Sequence, residues 1–264
     1  MIQKIPILMY HEVYRPEEYE RFRELTNPAY NTELSVFRRQ MAGIHENNIN
    51  TLTIDEILSS KSKHKKNAVC LTFDDGWLGN YLHAYPVLQE FGFRATFFVA
   101  TSLIGNQLYM NWEQLKQMQA SGMSIQSHTV SHLPMGNLEN EELIFELSES
   151  KKIIEEKLST SVKHLSLPHG HKGKNIWSLA KKIGYQSVLT SEVGFYSYNS
   201  LDPWIKRISI GDSVSENRFL LIVQGKYRAI CDIIIIKSLK NAFKRVVGVN
   251  NYRKLYRRMY RIKG

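Results

Sequence analysis

With 264 residues, 43% of them hydrophobic and 11% aromatic, the chain has apolar material for one large domain, or one domain with a small appendage. Two cysteines, Cys70 and Cys231, exclude a disulfide framework, and no stretch reaches the roughly twenty apolar residues needed to cross a bilayer. The net charge of +10 is lopsided: twelve Lys or Arg against Asp232 alone give residues 219–264 a net +11 and leave residues 1–218 at −1, which argues against a body that binds nucleic acid through its main face.

In chain order, residues 5–10 form an apolar first strand that ends in Tyr10-His11-Glu12. The lead-in before it is too short for an export signal, so a cytoplasmic protein, with the tail peripheral at the inner membrane face, is expected. Residues 15–30 are polar, contain Pro16 and Pro28, and read as a loop over the mouth of the fold. Leu34, Phe37, Met41 and Ile44 predict a helix over 32–48, and a second short helix follows over 53–59. Residues 68–73 read as a buried strand broken by Gly76. Beyond it, helices are predicted over 80–91, 111–121, 139–158 and 176–183, alternating with strands over 93–100, 123–127, 162–166, 186–190 and 204–210. That alternation implies a parallel sheet with helices outside, and about seven repeats imply closure into a barrel. The domains are therefore 1–218, the barrel, and 219–264, a basic helical extension. The extension fits either an amphipathic helix pair on an anionic membrane surface or a helix packed on the barrel with a solvated basic face.

Two motifs carry chemistry. Asp74 and Asp75 stand side by side where an apolar strand stops, and neighbouring residues at a strand end point in different directions, so the two carboxylates can do different work. An Asp-Asp-Gly can equally be a plain turn. About fifty residues on, His128 and His132 are four apart, a spacing that puts both on one face of a helical turn, and His128 again follows a strand. Imidazole is a common ligand for zinc and its neighbours, and an Asp-His-His set leaves coordination positions open for catalysis. His45, His64 and His83 read as solvated surface, and His164 has no assigned role.

Thr72-Phe73-Asp74-Asp75-Gly76 followed by His128-Thr129-Val130-Ser131-His132 resembles the first two motifs of the polysaccharide deacetylases, the NodB-homology carbohydrate esterases. The resemblance spans roughly residues 4–210 and implies a distorted (β/α)7-type barrel that removes N-acetyl groups from a glycan with a divalent metal. Zinc is the first expectation, with cobalt, nickel and iron also allowed. It assigns the metal to Asp75, His128 and His132, and the general base to Asp74. The family's third motif is matched by Pro168-His169-Gly170, which keeps Pro and Gly but not the family's Arg and Tyr; the His169 amide becomes the oxyanion donor and His171 exposed loop. No histidine follows His171 to serve as the usual C-terminal acid. Exopolysaccharide-type members carry a His after their first strand, which makes His11 the general acid. Trp204 is expected to line the acetyl pocket and Arg207 to pair with Asp74. Two alternatives stay open: a catalytically impaired glycan- or membrane-binding protein on the same fold, and an amidase for another N-acyl sugar.

Overall fold

The computed structural model describes residues 4–26, 28–59, 67–170, 172–198 and 200–236; His64, His171 and the tail from residue 237 lie outside these. Eight parallel strands, β1 (Ile7–Tyr10), β2 (Asn50–Leu52), β3 (Ala68–Phe73), β4 (Thr96–Val99), β5 (Ser124–Ser127), β6 (His164–Ser166), β7 (Ser187–Val193) and β8 (Trp204–Ser209), are joined in the order β1-β8-β7-β6-β5-β4-β3-β2. β1 also pairs with β3, Leu8 facing Leu71 and Tyr10 facing Phe73, so seven strands close on themselves as the expected barrel. β2, which the sequence pattern did not reveal, covers only the start of β3, with Asn50 opposite Ala68 and Leu52 opposite Cys70. Closure leaves the ring without an open edge.

β1, β3 and β4 form because their residues are mainly apolar on both faces; all six residues of β3 are buried. Outside the ring run α1 (Leu34–Glu46), α2 (Ile54–Leu58), α3 (Tyr85–Glu90), α4 (Trp112–Ala120), α5 (Asn140–Leu158), α6 (Ile176–Ile183) and α7 (Glu216–Val223). α1 buries Phe37, Met41 and Ile44, and each such side chain contributes about 1.5–3 kcal/mol. Residues 15–30 hold short 3-10 helices at Pro16–Arg21 and Pro28–Tyr30. The first of these carries Glu18, whose Oε2 lies 2.7 Å from His83 Nε2, so His83 is buried and not the surface residue expected.

The compact body runs over residues 1–225 and includes α7, whose Phe219, Ile222 and Val223 are buried. Residues 226–264 form a second unit, in which Tyr227–Ala229 makes one helical turn and Ile235 and Ile236 are exposed. No helix among the described residues is long and apolar enough to cross a membrane.

The foot of the barrel carries a buried polar tie. His164 opens β6 with its Nδ1 2.9 Å from Ser187 Oγ and its Nε2 3.3 Å from Asp55 Oδ1, while Ser124 Oγ donates to Asp55 Oδ2 at 2.6 Å. The row mimics a hydrolase triad, but Ser187 is closed to substrate at 2% exposure, and the starts of barrel strands serve stability. Burial opposes the charge on Asp55, yet hydrogen bonds from His164 and Ser124 outweigh it and hold the carboxyl below its ordinary value. A carboxylate depressed in the folded state stabilises the fold above its unfolded pKa, and that contribution is lost as pH falls through the folded value. His164→Ala is thus expected to lower Tm at neutral pH by several degrees, with the gap to the parent narrowing below about pH 4. An equal Tm at neutral pH, or a gap that persists in acid, would refute the tie.

Candidate active site

Asp74 directly follows β3, its amide donating to Tyr10 O at 3.0 Å, and the residue is 2% exposed. Burying a charge requires a partner, and β8 supplies Arg207 from the other side of the ring. Arg207 Nη1 donates to Asp74 Oδ1 at 2.8 Å and Nη2 to Oδ2 at 2.7 Å. The remaining guanidinium hydrogens are all used: Nε donates to Thr190 O, Nη1 to Thr72 Oγ1 and Nη2 to Ser166 Oγ. Ser166 in turn donates to Asp74 Oδ2 at 3.1 Å. Burial would raise the Asp74 pKa, but Arg207 and the neighbouring imidazoles outweigh it and keep the carboxyl below its ordinary value.

Asp75 leaves the strand in the left-handed region, φ 75°, which swings its side chain away from that of Asp74. Its Oδ2 accepts from Trp77 Nε1 at 2.9 Å, and its Oδ1 faces His128 Nε2 and His132 Nε2, each at 3.1 Å. That buried Oδ1 nevertheless has no hydrogen bond of proper geometry. His128 Nδ1–H donates to the Ser166 carbonyl at 2.8 Å, so in the neutral ring its Nε2 carries a lone pair turned toward Asp75. Three ligand atoms thus converge, Asp75 Oδ1 and the Nε2 atoms of His128 and His132, a set that suits a cation. Two tetrahedral donors on zinc, at roughly 2.0–2.1 Å from it, would stand roughly 3.3 Å apart. No other group of three such side chains is this close among the described residues. A proton shared among these atoms has the same electrostatic effect. Burial would raise Asp75, but His128 first and then His132 and His11 outweigh it and hold the carboxyl well below its ordinary value, while Asp75 outweighs the burial of His132 and holds that imidazole above its own.

The histidine pair is not on a helix. Residues 128–132 are a loop that turns through Thr129 at φ 70° and His132 at φ 55°. Spacing alone suggested a helical turn, whereas two left-handed residues achieve the same convergence. Left-handed backbone is unfavourable for these residue types, above all β-branched Thr, and such strain gathers at functional sites. His169 shares it at φ 58°, with its ring 5.1 Å from that of His132. Pro168 is buried, and at Gly170, φ 67°, a Cβ would come within 2.5 Å of Ser191 Oγ. The third motif thus lies beside the converging Asp75, His128 and His132.

His11 is stacked on Tyr30, centroids 4.7 Å apart, with its buried Nδ1 unpartnered among the described residues. Burial pushes its pKa down, and the nearby carboxylates of Asp75 and Asp74 pull the other way. Trp204 departs from expectation. It stands three residues before Arg207 on one strand, so the two side chains take opposite faces, and Arg207 points inward. Trp204 is instead covered by Lys172, whose Nζ is 5.0 Å from the ring, and it does not line the site. Sequence reasoning passed over Ser166, Thr72, Trp77 and Tyr30. Thr72 stood inside the quoted Thr72–Gly76 motif without a role, and the others were signalled by no more than their places near strand ends or in the expected mouth loop.

A family model described as polysaccharide deacetylase matches residues 61–188. YxkH of Bacillus subtilis (strain 168), which bears that family's name, is 31% identical over 219 residues, covering 82% of this chain and 75% of the relative. The poly-beta-1,6-N-acetyl-D-glucosamine N-deacetylase of Staphylococcus aureus (strain MSSA476) is 27% identical over 233 residues, 80% of each chain. Among solved structures, the Streptococcus pyogenes deacetylase PplD in complex with acetate matches with TM-score 0.76 and 27% identity over 84% of this chain and 99% of that one.

Proposed function

This chain belongs to the polysaccharide deacetylase family, hydrolases of carbon–nitrogen bonds, and from that premise we propose that it releases acetate from N-acetylglucosamine units of a glycan with a divalent cation held by Asp75, His128 and His132. The observation that carries this reading is the adjacency of a buried, Arg-held carboxylate to three converging cation-ligand atoms. A cation there would acidify water and polarise the acetamide carbonyl, and the N and O donors suit zinc, cobalt, nickel or iron.

The chain's own groups divide the rest of the work. Asp74 Oδ2 already accepts two hydrogen bonds, whereas Oδ1 accepts only one and keeps a lone pair. Oδ1 is therefore the atom that takes the proton of the attacking water. His11, across the same site, returns a proton to the leaving amine; its depressed pKa makes its imidazolium a readier donor. The amide of His169 donates to the developing oxyanion, a role supported by the position of its loop beside His132. A β-1,6-linked polymer is the proposed substrate because the Staphylococcus aureus relative is named for one.

Dialysis against a chelator should abolish acetate release from β-1,6-linked N-acetylglucosamine oligomers, and added Zn2+ or Co2+ should restore it. Undiminished release by metal-stripped protein would reject the cation's role. Faster release from β-1,4-linked oligomers would reject the linkage.

A further inference from the structure

α5 holds the loop that carries both histidines. Glu146, 3% exposed, accepts hydrogen bonds at a single oxygen, Oε2, from the amides of Val130 at 2.8 Å and Ser131 at 2.9 Å. The preceding amide, Thr129 N, donates to Ser127 Oγ at 3.2 Å, and Ser127 Oγ is hydrogen-bonded to Ser150 Oγ at 2.7 Å. Glu146 and Ser150 are four apart and so share one helix face. Three consecutive amides between the two imidazoles are thus gathered, directly or through Ser127, onto one side of α5. From the opposite side the amides of Thr101 and Ser102 donate to the carbonyls of Thr129 and Val130.

The choice of residue is informative. Glu146 falls within the apolar stripe of α5 between Leu143 and Leu147, where a hydrophobic side chain would pack without desolvating a charge. Among the described residues no Lys or Arg pairs with it; its carboxylate is compensated by the two amides. A concave run of backbone N–H groups closed by an anion fixes a backbone conformation, here the left-handed turn at Thr129 that brings His132 back toward His128.

We propose that Glu146, seconded by Ser150, is a positioning residue that sets the spacing of His128 and His132 and thereby the affinity of the site for its cation. This rests on the reading of Asp75, His128 and His132 as a metal site. The full-length protein and its variants would be stripped of metal, their Tm recorded, and Zn2+ titrated in competition with a chromophoric chelator. Glu146→Ala is expected to weaken Zn2+ binding by about 10- to 100-fold, the range for groups that orient metal ligands. Glu146→Gln keeps a neutral acceptor and should lose affinity by a smaller factor; it carries the test if the Ala variant does not fold. Glu155→Gln is the control: Glu155 Oε1 caps Val162 N at 2.9 Å farther along α5, so this change should lower Tm and leave Zn2+ affinity unaltered. Glu146 variants that lose Tm but bind Zn2+ as tightly as the parent would overturn the positioning role and leave the metal site standing. A parent protein that takes up no Zn2+ would overturn the metal reading and this inference with it.

Discussion

Asp74→Asn is expected to slow acetate release by about 100- to 10,000-fold, the usual contribution of a general base. The amide has no lone pair basic enough to take a proton from water, yet it fills the same volume and keeps one acceptor for Arg207. The substitution also removes the counter-charge from a guanidinium that is 1% exposed, and breaking a buried pair costs about 3–5 kcal/mol. Activity must therefore be measured well below the variant's own Tm, with circular dichroism and zinc content showing that fold and site persist. Acetate release at the parental rate from folded, zinc-loaded Asp74→Asn would remove Asp74 from the base role. Loss of zinc together with activity would instead show that the two aspartates act as one unit.

Arg207→Met should damage stability and pH dependence together. Methionine matches much of the volume of arginine, but it leaves Asp74 buried with Ser166 Oγ as the remaining donor from a side chain. Stability is expected to fall by about 3–5 kcal/mol, or roughly 6–20 °C in Tm for a domain of this size. The sign of the pH effect follows from the opposed forces on Asp74: burial raises its pKa and Arg207 is the foremost group lowering it. Without Arg207 burial prevails, so the acid limb of kcat/KM should move to higher pH. Arg207→Lys should recover little, because an ammonium with three donors cannot make the five bonds of the guanidinium. An acid limb that stays in place in Arg207→Met would show that Asp74 does not govern it.

The alternation of apolar strands and amphipathic helices was legible because each element's periodicity is local, and α6 runs over the same residues, 176–183, that the pattern predicts. β2 was missed because three residues, one of them buried, show no period. The adjacent Asp74 and Asp75 and the four-residue spacing of His128 and His132 were legible as well, since the chemistry of a motif is written in residue types. How those residues are held was not. The left-handed turns at Asp75, Thr129 and His132 are unfavourable locally and exist because the closed barrel and α5 impose them.

Sequence alone therefore determined which side chains could meet a cation and a water, and that strands and helices alternate around them. The family resemblance already pointed to the pairing of Arg207 with Asp74 across 133 positions of chain, but tertiary structure alone decided that Trp204 on the same strand faces away and that Glu146 serves the histidine loop from inside an apolar stripe. The reason is physical: strand parity and helix face set which way a side chain points, but barrel closure sets what it meets, and only burial makes an ion pair or a lone carboxylate matter.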